Sequence, residues 1–260
     1  MTTDAGRHRL RATFEEVPEL YDHARPLYPR ELFDDLVTLA GLRSGSRVLE
    51  IGPGTGQATL PLAERGLEVV AVELGERLAA LARDKLAGFP NVEIANAAFE
   101  EWTPEGRPFD VVAAFTALHW IDPELRYEKP ARLLRQGGRL AVVKTKHPAG
   151  ADPFWAEVQE DYDAVVPSDA SRPPPAADEV EDLRDEIVAT GLFAEPSTRR
   201  YLWDTTYDAD DYIALLDTFS GHRVLPAPQR RELYHRIRRR IGPRPVTKTM
   251  LAILHVARRL

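Results

Sequence analysis

The chain has 260 residues, 43% of them hydrophobic and 29% charged, with a formal net charge of −7. That length suits one large α/β domain, or a domain with a small cap, and buries enough surface to fold without covalent staples. It contains no cysteine, which excludes disulfides, thiolate metal sites and cysteine nucleophiles, and no apolar run approaches the ~18 residues of a membrane span.

Along the chain, the polar stretch Met1 to Arg11 has no signal-peptide core, so a soluble, cytoplasmic protein is expected. Two helical segments follow, Phe14–His23 and Arg30–Ala40. From residue 46 to residue 144 short apolar runs alternate with helical patterns. The runs Arg47–Ile51, Val69–Glu73, Val92–Asn96, Asp110–Thr116 and Arg139–Lys144 are almost continuously apolar, as strands buried on both faces of a parallel sheet are. Between them, Gly75–Ala87 puts Leu78, Ala82 and Leu86 on one helical face and stops at Gly88. Asp122-Pro-Glu124 has the signature of a helix start, Pro130 predicts a kink or two short helices within Leu125–Leu134, and Gly137–Gly138 predicts the end of that segment. Then come a helical Asp152–Val166, a loop with Pro167 and Pro173–Pro175 that is the predicted mobile segment, and a helix over Asp178–Ala189. Strands over Thr198–Tyr207 and Thr249–Ala257 flank two more helices. Alternation of this kind implies right-handed βαβ units in an open parallel sheet.

Charge is unevenly spread. Arg223 to Leu260 holds eleven bases and a single acid, Glu232, while the rest of the chain holds 23 bases and 40 acids. A basic tail points either to an anionic partner such as nucleic acid or to the wet face of an amphipathic helix. Arg230–Ile241 favours the second reading, because Leu233, Ile237 and Ile241 fall on one face and the arginines around the others.

The sharpest signal is the run from Val48 to Thr59, Val-Leu-Glu-Ile-Gly-Pro-Gly-Thr-Gly-Gln-Ala-Thr: an apolar strand, a loop with glycine at alternate positions, then a helix. Gly52, Gly54 and Gly56 permit positive φ and close approach of a ligand to the backbone. Gln57 stands where a dinucleotide fingerprint wants its third glycine, and the absence of Gly-Lys-Ser/Thr excludes a P-loop. Glu50, just before the loop, would repel a pyrophosphate but suits an ammonium group. Glu73, at the end of the second strand, is placed to take both hydroxyls of a ribose.

With these features the stretch from Arg47 to Lys144 resembles class I S-adenosylmethionine-dependent methyltransferases, and within them bacterial small-molecule methyltransferases of the trans-aconitate type. The likeness is carried by Glu50-Ile-Gly-Pro-Gly-Thr-Gly56, Val70-Ala-Val-Glu73, Phe99-Glu-Glu-Trp102, Phe109-Asp-Val-Val112, Leu118-His-Trp-Ile-Asp-Pro123, Leu134-Arg-Gln-Gly-Gly138 and Tyr21-Asp-His-Ala-Arg-Pro-Leu-Tyr-Pro29. The resemblance implies a Rossmann-like, doubly wound, seven-stranded and mostly parallel sheet, whose last strand inserts antiparallel between the fifth and sixth. It implies a single domain over 1–260: a helical cover (1–43), a cofactor core (44–146 and 197–260) and a helical insertion or lid (147–196). For S-adenosyl-L-methionine it implies contacts from Gly52, Gly54, Thr55 and Gln57 in the loop, and from Glu73 and Leu74 at the ribose. It further implies Ala98 and Phe99 near the adenine, Thr116 and Leu118 as the floor after the fourth strand, and Tyr21 with Arg25 at the carboxylate. Ala98 departs from the pattern: relatives commonly place an acid there for the adenine amino group, which leaves Glu100, Asn96 or a main-chain carbonyl to substitute.

Methyl transfer is an in-line displacement that needs positioning above all, and a base only where the acceptor is protonated. His119, after the fourth strand, is the candidate base or substrate orienter, or else a structural histidine packed on Trp120; its ordinary pKa suits either chemical task. His147 and His222 are further substrate candidates. Tyr28, Trp120, Phe154, Trp155, Tyr162 and Phe219 either wall an acceptor pocket or belong to the core. No histidine pair has metal-ligand spacing, so no metal is expected. The expected activity is methylation of a small molecule at O, N or C, by a monomer or homodimer without nucleic-acid or membrane partners. The alternatives are an RNA methyltransferase using the basic segment, and a protein that keeps the cofactor site without methylating.

Overall fold

The computed structural model describes residues 6, 10, 13–166 and 174–260. The seven strands are β1 Arg47–Ile51, β2 Glu68–Glu73, β3 Val92–Asn96, β4 Phe109–Phe115, β5 Leu134–Lys146, β6 Ser197–Tyr207 and β7 Val246–Arg258. They form one sheet in the order β3-β2-β1-β4-β5-β7-β6, with the last strand antiparallel between the fifth and sixth, as the sequence implied. β1 pairs in parallel with both β2 and β4, in a register that sets Glu50 beside Ala71 and Ala113. All five residues of β1 are buried, because this central strand has packed neighbours on both faces. β6, at the edge, alternates exposed and partly buried residues through most of its length.

The chain folds into two compact units. One comprises Leu27–Thr145, Glu181–Tyr201 and Ala252–Leu260, and is called the glycine-loop unit below. Its core lies under the strands and is built on Leu49, Ile51, Val70, Val72, Val112 and Leu140, with Phe99, Phe109 and Phe193 filling the larger spaces. The other, the helical unit, comprises the residues up to Pro26, Lys146–Val180 and Leu202–Leu251. Leu215, Leu216, Leu233, Ile237 and Ile241 form its core with Phe154, Tyr207 and Tyr212.

Several elements differ from expectation. β5 begins at Leu134 and runs through Gly137–Gly138, which therefore do not end the segment. Between Phe109↔Leu134 and Val111↔Arg139 the β4–β5 register shifts, so β5 bulges there. Gly137 takes φ +69°, and a Cβ on Gly138 would lie 3.0 Å from the Arg135 carbonyl and 3.1 Å from that of Asp110. Pro130 produces no kink, because it is the third residue of a helix that starts only at Glu128 (Glu128–Leu133), where a missing N–H has no intrahelical acceptor to lose. Asp152–Val166 is two short helices, Phe154–Glu157 and Gln159–Val165, and Asp178–Ala189 is helical only over Arg184–Ala189. Three helices, not two, lie between β6 and β7: Ala209–Leu216, Ser220–Arg223 and Ala227–Ile241. The expected mobile Pro-rich segment falls largely on 167–173, outside the described residues; Ala149 N–H donates to the Pro175 carbonyl just beyond it. Among the described residues no helix is long and apolar enough to cross a membrane.

Candidate active site

In the glycine-loop unit the chain leaves β1 through Gly52, whose N–H donates to the Val72 carbonyl at 2.9 Å. Gly52, Gly54 and Gly56 all take positive φ, and a Cβ on Gly52 would lie 2.8 Å from the Ala117 Cβ. The loop therefore tolerates only hydrogen at that point. Glu73, buried at the end of β2, accepts from Gly54 N with Oε2 and from Gly75 N with Oε1, both at 2.9 Å. It fastens the loop to the adjacent strand.

Glu50 is 1% exposed. Its Oε2 accepts from the Thr59 hydroxyl at 2.7 Å, while Oε1 has no partner. Burial pushes its carboxyl up to about 7, against the lowering effect of the Thr59 hydrogen bond and with a further rise from the charge of Glu73. A buried carboxylate with one empty oxygen is suited to a cationic ligand group, whose charge would restore its ionisation.

Around the adenine position expected from sequence, Phe99 is buried and Lys129 Nζ stands 5.1 Å from its ring centroid. Asn96 donates to the carbonyls of Glu73 and Leu74, and the Ala98 carbonyl accepts from Glu101 N and Trp102 N. The Asn96 amide thus spends its donor on holding the chain, and the Ala98 carbonyl is engaged as well. Glu100 Oε1 accepts from Asp122 N at a long 3.4 Å. Thr55 is buried and takes a hydrogen bond from Gln57 Nε2 at 2.6 Å, whereas Leu74 is exposed.

At the end of β4, Thr116 is the one non-glycine at positive φ (+56°) among the described residues. A β-branched residue seldom accepts this conformation. Its hydroxyl lies 3.1 Å from the Tyr28 hydroxyl and 3.0 Å from that of Thr145, so strain at one residue joins three hydroxyls. Thr145 was not foreseen from sequence, since nothing local marks it. Leu118 is buried, and His119 is exposed with its ring centroid 4.7 Å from that of Trp120.

The remaining sequence candidates lie in the helical unit. The Arg25 guanidinium carbon sits 4.8 Å from the Tyr21 ring centroid and 4.3 Å from that of Phe219, and Nη2 donates to the Thr218 carbonyl at 2.8 Å. His147 meets the same Phe219 ring edge-on at 6.0 Å. His222 Nε2 lies 3.1 Å from the Tyr162 hydroxyl, and the His222 ring stacks on Tyr234. Burial presses His147 down to about 3, helped by Lys248, Arg25 and Lys146, and presses His222 down to about 4. Trp155 Nε1 donates to the Thr247 carbonyl, and Phe154 is a core residue, 6% exposed.

Five arginines of the basic segment pair with acids of the same unit. Arg223 pairs with Glu16 and Asp217, Arg230 with Asp217, Arg236 with Glu232 and Arg238 with Asp210. Arg240 reaches Glu157, Glu160 and Asp161.

Comparison with known proteins finds methyltransferases similar to this chain. Residues 48–138 match a family model described as a methyltransferase domain. An uncharacterised methyltransferase of Mycobacterium tuberculosis is 36% identical over 137 residues, 53% of this chain and 54% of that protein. An rRNA adenine N-6-methyltransferase of Saccharopolyspora erythraea is 41% identical over 88 residues, 34% of this chain and 23% of that protein. The chain thus spans about half the length, or less, of these curated relatives. In structure it is similar to a candidate type II methyltransferase of Anaeromyxobacter dehalogenans, with a TM-score of 0.62 and 25% identity over 90% of this chain and 97% of that one. The sheet has the order of its Rossmann-like methyltransferase neighbours, and residues 48–138, which carry the glycine loop, Glu50 and Glu73, are similar to a methyltransferase domain.

Proposed function

We propose that the protein transfers a methyl group from S-adenosyl-L-methionine to a small molecule. The observation that carries this reading is the pair of buried carboxylates flanking a loop that admits no side chain at Gly52: Glu50, with one oxygen unpartnered, and Glu73, tied to Gly54 N. Their chemistry fits the cofactor's ammonium and ribose hydroxyls respectively. Bound S-adenosylmethionine supplies an electrophilic methyl group on a sulfonium. Phe99 offers an apolar face for the adenine, and Thr116 and Leu118 furnish the floor after β4. His119, exposed after β4, takes the acceptor's proton or orients the acceptor; the Thr116–Tyr28–Thr145 hydroxyls give a polar edge able to donate or accept.

A small acceptor is supported by the internal pairing of the basic segment, which leaves less free positive charge for a phosphate backbone than its composition suggests. Its resemblance to bacterial methyltransferases of the trans-aconitate type supports the same reading. Calorimetry with S-adenosylmethionine and S-adenosylhomocysteine tests it: absence of binding by either sinks the proposal. RNA binding that falls steeply with salt would shift the assignment to a nucleic-acid substrate.

A further inference from the structure

Within the glycine-loop unit, Glu50 lies in β1 with nothing to balance a charge. The register places it between Ala71 on β2 and Ala113 on β4, whose methyl groups offer no polar partner. Its side chain is almost wholly buried. From the helix Thr59–Glu64, the Thr59 hydroxyl donates to Oε2, while Oε1 meets no described residue. Among the described residues no Lys, Arg or His forms an ion pair with it. The ionisable group facing it from β2 is a second acid: Glu73 stands two residues beyond Ala71 and so shares that face of the sheet. Glu73 is itself tied to Gly54 N and Gly75 N. Burial first, and then the charge of Glu73, oppose ionisation of Glu50 and raise its carboxyl to about 7.

Neither form of this carboxyl is satisfied in the free protein. Ionised, it is a buried charge without a counter-ion; protonated, it still leaves Oε1 without a hydrogen-bond partner. An ammonium set against that oxygen changes the balance, because it brings both a donor and a full opposite charge to a place screened from water, and the carboxyl then ionises. We propose that binding of S-adenosyl-L-methionine or S-adenosyl-L-homocysteine drives the proton of Glu50 into solvent, so that affinity for the cofactor falls as the pH drops below neutral. The inference rests on the methyltransferase reading, which sends the cofactor's ammonium to Glu50. One proton is exchanged: the Glu50 O–H bond breaks, its proton passes to water, and the ammonium keeps its three hydrogens against the carboxylate. A ligand without an ammonium leaves Glu50 protonated and gains nothing from a higher pH.

The test is calorimetry of the full chain with S-adenosylhomocysteine at pH 6 and pH 8, each in two buffers of different ionisation enthalpy, which counts the protons exchanged. About one proton should leave at pH 6 and almost none at pH 8, and Kd should rise about tenfold from pH 8 to pH 6. 5′-Methylthioadenosine, which keeps the nucleoside and the sulfur but has no ammonium, should bind with no proton release and without that loss of affinity. Glu50→Gln should bind S-adenosylhomocysteine weakly at both pH values and release no proton at pH 6. Binding to the parent without proton release at pH 6 overturns the inference and leaves the methyltransferase reading in place. So does equal release by Glu50→Gln, or equal release with methylthioadenosine. Should Glu50→Gln fail to fold, the comparison of the two ligands on the parent protein decides the point. No binding of S-adenosylhomocysteine at either pH overturns the methyltransferase reading, and this inference with it.

Discussion

Replacing Glu50 by Gln should stabilise the free protein at alkaline pH while disabling it. The carboxyl of Glu50 is raised from 4.5 to about 7 in the fold. An acid with a raised folded pKa carries no penalty below its unfolded pKa, and the penalty grows as pH rises through the interval and is complete above the folded pKa. For this interval the cost is roughly 3 kcal/mol at pH 8 and below ~1 kcal/mol at pH 5. Glu50→Gln keeps the shape and an acceptor for the Thr59 hydroxyl but has no charge to bury. Its amide places a new unsatisfied donor where Oε1 lacks a partner, at a cost of about 1–3 kcal/mol that is the same at both pH values. The stability difference between variant and parent should therefore move by about 2.5 kcal/mol in favour of the variant from pH 5 to pH 8. Urea unfolding at the two pH values, without ligand, measures it. Calorimetry with S-adenosylhomocysteine should show binding weakened at least tenfold. A difference independent of pH would refute the claim that Glu50 is a buried charge held at a cost, and undiminished binding would refute its role toward the ammonium.

Other outcomes follow from the same geometry. Gly52→Ala places a Cβ 2.8 Å from that of Ala117 at φ +64°; it should cost about 2 kcal/mol in thermal or urea unfolding and abolish S-adenosylhomocysteine binding. Thr116→Gly and Thr116→Val both remove the hydroxyl that meets Tyr28 and Thr145, but only valine keeps the left-handed strain, so the glycine variant should be the more stable by about 1 kcal/mol. His222, lowered from 6.5 to about 4, stays neutral in the fold while the unfolded chain takes up a proton, so stability should fall as pH drops from 6.5 toward 4. Between pH 7 and pH 5 that loss is roughly 2 kcal/mol, and His222→Phe should flatten this part of the unfolding profile. Arg240→Met leaves Asp161, 7% exposed, without its guanidinium and should cost about 2–3 kcal/mol; an unchanged urea midpoint would show that pair to be idle.

Much of the glycine-loop unit could be read from local pattern. β1 and β3 fall on the residues expected, and β2 and β4 begin one residue earlier, because continuous apolar runs between helical periods encode buried parallel strands at short range. The loop and Glu73 were legible for the same reason: alternate glycines and a strand-end acid are local features, and here they meet through the Gly54–Glu73 hydrogen bond. Phe154 shows the opposite case, an aromatic compatible with a pocket wall from sequence that packs into the core of the helical unit.

What the sequence determined by itself was therefore whatever depends on neighbours a few residues away: the strand and helix periods, the positive-φ loop and the amphipathic face of Arg230–Ile241. Tertiary structure decided what depends on partners far along the chain. Arg240 looks like free charge until Asp161 meets it from 79 residues away, and Thr116 is an ordinary strand end until Tyr28 arrives from 88. β5 extends past two glycines because β4 offers it hydrogen bonds across a bulge. Lys248, one base among eleven in its segment, is half-buried over the Trp155 ring only because the fold brings the two together. Charge and periodicity are written residue by residue, but desolvation and pairing belong to the assembled chain, and those two terms select which charges are solvated and which are left to bind.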